Sequence, residues 1–100
     1  MLQLQLQTQT EERLRKILAQ YNDLELFAQN IIAYQISELR KAMLNIRLDL
    51  QQFEQKYQQS SKLFYQQFTN GKLDDNEDFI LWAGIYEMLQ DNERQLEAII

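Results

Sequence analysis

Asp74, Asp75, Asn76, Glu77 and Asp78 gather oxygen ligands and potential bases into one short stretch. Asp74, Asn76 and Asp78 have the spacing of the first three ligands of a calcium-binding loop. Phe79, however, stands where that loop needs Gly for its turn, and Ile85 stands where it needs a bidentate Glu. Asp75 and Glu77 are carboxylates of the kind that does acid/base work, but nothing in the surrounding sequence suggests a concave pocket to hold a substrate. With no Cys and no His, the chain has no thiolate or imidazole ligand and no nucleophile that relies on a His base. The expectation is a protein with no catalytic residues, no metal site and no cofactor. The acidic run is then a helix start, where carboxylates favour the positive end of the helix dipole.

Next to that run lies a concentration of aromatic residues. Phe79, Trp82, Tyr86 and Leu89 fall on one face of the helix that follows, while Ile80, Leu81, Ile85 and Met88 occupy others. A helix apolar on so many sides needs two neighbours: one face packs back on the chain and another is free for a partner. Before the acidic run, Ser60 or Ser61 caps a short helix carrying Leu63, Phe64 and Phe68, and Asn70-Gly71 ends it. Phe64, Phe68, Phe79, Trp82 and Tyr86 are the candidate partner-binding residues. Trp82 with Phe79 and Tyr86 fits both an intramolecular core and a partner surface.

A long helix must support these pieces. Ile32, Ile36, Leu39, Met43, Ile46, Leu50, Phe53 and Tyr57 step by four and three alternately, an unbroken heptad seam in a helix starting near Asp23. It predicts a helical hairpin or a bundle between two chains. Upstream, Leu14, Ile17, Leu18 and Tyr21 share one face of a helix over about residues 9 to 21, and Thr8 with Glu11 fits a capping box. No apolar run approaches the roughly 18 residues of a membrane span, and the start has neither a basic n-region nor an apolar h-region. A cytoplasmic protein without a membrane partner is expected.

Charge is uneven. Residues 1–47 hold six Lys/Arg against five Asp/Glu, and residues 48–100 hold four against ten, which sums to the net −5. An acidic C-terminal half argues for a basic partner there and against nucleic acid there.

The first residues, MLQLQLQT, alternate strictly. In an extended strand Leu2, Leu4 and Leu6 share one face and Gln3, Gln5 and Gln7 the other. The rest of the chain reads as helix, so a lone strand would need its backbone groups paired by a second chain, most simply as a twofold homodimer through residues 2–8. The fold expected is mainly α, with an N-terminal strand pairing between two chains, then a long helix and a helical tail.

Strand, short amphipathic helix, turn and second helix, carried by LQLQLQT, TEERLRKILAQY and NDLELFAQNIIAYQI, resemble the ribbon-helix-helix family of dimeric DNA-binding proteins. The resemblance covers about residues 1–36 and leaves 37–100 as the long-helix continuation and acidic tail. It implies a ribbon that reads operator DNA in the major groove through Gln3, Gln5 and Gln7, whose amides suit adenine. The ribbon face has no Lys or Arg, so the resemblance implies that Arg13, Arg15 and Lys16 would supply the phosphate contacts. Residues 56–89, KYQQSSKLFYQQFTNGKLDDNEDFILWAGIYEML, resemble the tails of small prokaryotic proteins, several of them antitoxin-like. That resemblance implies a dimeric regulator whose tail binds a basic toxin protein. The rival reading is a dimeric helical adaptor or structural protein without DNA contact.

Overall fold

A computed structural model describes residues 3–100. Four helices form among them: α1 (Thr8–Leu18), α2 (Leu24–Tyr57), α3 (Ser61–Thr69) and α4 (Glu77–Ile99). The chain divides into two units, Met1–Tyr34 and Gln35–Ile100.

The expected N-terminal strand does not form among the described residues; Leu2 lies outside them. Residues 3–7 make no ladder, and Gln7, with extended backbone at φ −61° and ψ 145°, serves as the N-cap of α1. The ribbon-helix-helix head, and the pairing of two chains through residues 2–8 that it required, are therefore corrected to an irregular lead-in followed by helices. Leu and Gln lack the β-branched or aromatic side chains that favour strands, and a single two-stranded hairpin is barely stable in water even when its partner is in the same chain. Leu4 and Leu6 lie instead beside α1, where with Leu14 and Leu18 they line a shallow groove of about 300 Å³ together with Glu11 and Arg15.

Within residues 3–34, Glu11, Leu14, Leu18 and Phe27 are half-buried and the others exposed. Tyr21 packs edge-on against Phe27, with ring centres 4.7 Å apart. Asp23 opens α2 by accepting from the amides of Glu25 (3.0 Å) and Leu26 (3.3 Å), which satisfies donors that have no partner inside the helix.

The second unit is built on the heptad seam. Leu39, Met43, Ile46 and Leu50 are buried, and Ile36, Phe53 and Tyr57 are half-buried; Ile32, at the other end of the seam, is exposed. α4 runs antiparallel to this stretch, as three contacts in register show. Tyr57 meets Phe79 (5.2 Å between ring centres), Phe53 stacks on Trp82 (5.6 Å), and Arg47 pairs with Glu93 (3.7 Å). Met43, Ile46, Leu50, Phe64, Trp82, Ala83 and Leu89 form the common core, so α3 contributes Phe64 to an α2–α4 hairpin.

The turns follow local chemistry. α2 ends on Gln58 at φ +52°, and the amide of Gln59 reaches back to the Glu54 carbonyl (3.2 Å), the closure usually made by a glycine. Ser60 Oγ accepts from the Leu63 amide (3.2 Å) to cap α3. Gly71 at φ +71° lets the Lys72 amide close on the Gln67 carbonyl (3.1 Å). The acidic run is a helix start: Asn76 Oδ1 accepts from the Asp78 amide at 2.8 Å, and Glu77 and Asp78 fill the first turn of α4.

Candidate partner-binding surface

The aromatic residues singled out by the sequence lie inside the second unit. Trp82 and Phe64 are fully buried, with rings parallel within 2° and centres 3.8 Å apart. Tyr57 covers another part of the indole at 5.7 Å. Phe68, Phe79 and Tyr86 are half-buried against the same core. The indole N–H donates to Ser61 Oγ at 2.8 Å, and the Ser61 amide donates to Glu54 Oε2 at 2.9 Å. That chain of bonds joins α4, α3 and α2 through one buried serine.

At the α2–α4 end of the hairpin, Asp78 Oδ2 accepts from Lys56 Nζ (2.7 Å) and from the Tyr57 hydroxyl (2.5 Å). The bond from Lys56, and then that from Tyr57, hold the Asp78 carboxyl below its ordinary range, and the Asp78 bond raises the Tyr57 hydroxyl above its own. Glu87 likewise raises Tyr65, whose hydroxyl donates to it at 2.7 Å. These are links between elements, made by donors and acceptors already engaged with each other. Among the described residues no group of three or more acidic side chains is placed to hold a metal ion, and in the acidic run Asn76 Oδ1 is taken up by the Asp78 amide and Asp78 Oδ2 by Lys56 and Tyr57.

With the aromatic rings turned inward, other residues make the surface. Ile80, Leu81 and Met88 on α4 are each more than half exposed, as are Leu44 and Leu48 on α2. On α4 the exposed stripe runs Glu77, Leu81, Gly84, Met88 and Asp91, opposite the face that carries Trp82 and Leu89. Gly84 sits in the middle of it, and a Cβ added there would meet nothing within 4 Å. A glycine inside a helix costs about 1 kcal/mol relative to alanine, and nothing in the chain itself comes close enough to require one here. The exposed pair Leu44 and Leu48 was missed by the sequence reading. Its signal was a second apolar i, i+4 pair lying between the seam positions of α2.

One groove opens beside this core, about 360 Å³ in volume, with Leu50 and Leu89 against Arg47, Glu54, Lys62 and Tyr86. Glu54 is committed to Ser61 and Arg47 to Glu93.

The residues expected to face DNA are exposed, and the ribbon expected to carry three of them does not form among the described residues. Gln3, Gln5 and Gln7 lie on the irregular lead-in, and Arg13, Arg15 and Lys16 on α1. Arg15 is forked onto Glu11 at 2.7 Å and 3.2 Å. No helix among the described residues is long and apolar enough to cross a membrane. Comparison with protein-family models, with curated proteins and with solved structures finds no match for the chain.

Proposed function

We propose that the chain is a helical protein-binding module of the adaptor class, and that the outer stripe of α4 is its binding surface. The observation that carries this reading is the exposure of Ile80, Leu81 and Met88 around Gly84 on a helix whose opposite face is anchored in the core. Large apolar side chains grouped on a rigid element are what a partner helix or groove buries. Their loss should not disturb the fold, because none of the three contributes to the core.

The test is capture by immobilised protein, comparing the wild type with a Leu81→Lys, Met88→Lys double variant whose melting temperature is checked in parallel. A partner retained by the wild type and lost by an equally folded double variant supports the reading. Equal retention by both places binding elsewhere.

A narrower form of the same reading is antitoxin-like, in which the partner is a basic toxin protein. What favours it is charge: Asp74, Asp75 and Glu77 flank Ile80 and Leu81 at the start of α4 and would face basic residues on a partner. In that case the captured protein is basic, its expression alone stops growth, and co-expression of this chain restores it.

A further inference from the structure

The α4 stripe has a matching surface on this chain. Its exposed residues Glu77, Leu81, Gly84, Met88 and Asp91 step by four, three, four and three. On the outer face of α2, away from the buried seam, Lys41, Leu44, Leu48, Gln51 and Gln55 are also all exposed and step by three, four, three and four. Run in opposite directions, the two rows coincide residue for residue. Leu48 falls on Gly84, Leu44 on Met88 and Gln51 on Leu81, while Lys41 meets Asp91 at one end and the Gln55 amide meets Glu77 at the other.

We propose that the occupant of the α4 stripe is the outer face of α2 from a second copy of this chain, laid antiparallel, with Leu48 of the second copy seated over Gly84. This rests on the reading of that stripe as a binding surface and names its partner.

Three observations select α2 as the occupant. The first is charge. α4 carries Glu77, Glu87 and Asp91 on or beside its exposed stripe against Arg94 alone, so a second α4 would bring like charges together. The outer face of α2 begins with Arg40 and Lys41. The second is shape. A leucine needs a hole between the side chains of the facing helix, and the open space at Gly84 provides one at the register where Leu48 falls. The third is availability. Lys41 makes only a loose 3.4 Å contact with Glu38, and Asp91 pairs with Arg94 on its own helix; in both pairs the side chains are exposed, and such contacts hold little against re-pairing. A single contact of this length is small, so association is concentration-dependent. Exchanged reciprocally it gives a twofold dimer, and extended head to tail it gives larger species.

Sedimentation velocity of the full chain over a wide concentration range tests this, with folding followed by far-ultraviolet circular dichroism. The expected result is a mass rising with concentration above the 12.1 kDa of one chain. Leu48→Glu should weaken association at least about thirty-fold, as loss of a buried anchor does. Gly84→Ala separates assembly from folding. It should raise the melting temperature, since alanine suits a helix better and the added carbon meets nothing within the chain, yet weaken association about five-fold or more by filling the hole. Lys41→Glu should weaken association, and adding Asp91→Lys should restore it. A single-chain mass at every concentration overturns the proposal, as does an assembly indifferent to both Leu48→Glu and Gly84→Ala. The binding reading of the α4 stripe stands or falls separately: a folded monomer whose capture of another protein depends on Leu81 and Met88 keeps that reading and discards the second copy.

Discussion

The indole N–H of Trp82 donates to Ser61 Oγ at 2.8 Å, and it does so where both residues are buried. The bond satisfies the one polar atom of a side chain otherwise enclosed by Phe53, Tyr57 and Phe64. Ser61→Ala leaves that donor without an acceptor, and the expected cost is about 1–3 kcal/mol. Trp82→Ala, which also opens a cavity, should cost about 3–5 kcal/mol. Denaturant titration measures both, and a Ser61→Ala variant as stable as wild type would show that the indole is satisfied in some other way.

Gln58 takes the left-handed turn conformation at the end of α2, at φ +52°. A side chain there is strained in a way that glycine is not. Gln58→Gly should stabilise the protein by about 1 kcal/mol, seen as a higher melting temperature with an unchanged circular dichroism spectrum.

The link from Lys56 and Tyr57 to Asp78 makes stability depend on pH in a defined window. A carboxyl held below its ordinary value contributes fully above its unfolded pKa of about 4, and the contribution is lost as pH falls through the lower folded value. The raised Tyr57 hydroxyl contributes below its unfolded pKa of about 10 and is lost as pH climbs through the higher folded value. The stability difference between wild type and Asp78→Asn should therefore be widest between about pH 4 and pH 10 and shrink on either side. A difference that stays constant in acid and alkali contradicts the assignment.

Within residues 3–34 no side chain is buried, and α1 is an 11-residue helix, short of what holds its shape alone in water. Amide hydrogens of α1 should exchange far faster than those of Met43, Ile46 and Leu50. Residues 35–100 expressed alone should keep the cooperative unfolding transition. Because residues 3–7 make no ladder, Leu4→Pro should change stability by less than about 0.5 kcal/mol. A Leu4→Pro variant that fails to fold would restore the case for a structured N-terminus.

Legibility from sequence followed the length scale of the interaction. Ser60 as a cap, Asn70-Gly71 as a stop and the acidic start of α4 are set by neighbours within one turn, and each was readable. The seam read from Ile32 to Tyr57 was readable over most of its length, because a repeat of seven identifies a buried face without identifying what buries it; nothing in the repeat tells that its first position, Ile32, is exposed. That limit explains the aromatic residues, since periodicity places Trp82 and Phe79 on one face of α4 but does not tell whether Phe64 or another protein lies against them. The Leu/Gln alternation misled for a different reason. A strand exists through its pairing, and residues 3–7 carry a strand's pattern without β-branched side chains and, among the described residues, without a second strand to join.

Trp82 is the chain's sole tryptophan, and its place at the meeting of α2, α3 and α4 makes it a built-in optical reporter. Excited at the red edge of the absorption band, where tyrosine contributes little, it gives one emission from one site. That emission stays shielded from water while Gln35–Ile100 is intact and shifts to longer wavelength when the indole leaves its stack on Phe64. It reports on the packing within Gln35–Ile100. Comparing the fluorescence transition with the loss of helical ellipticity, which averages over every helix, will separate melting of α1 from collapse of the core without any label being attached.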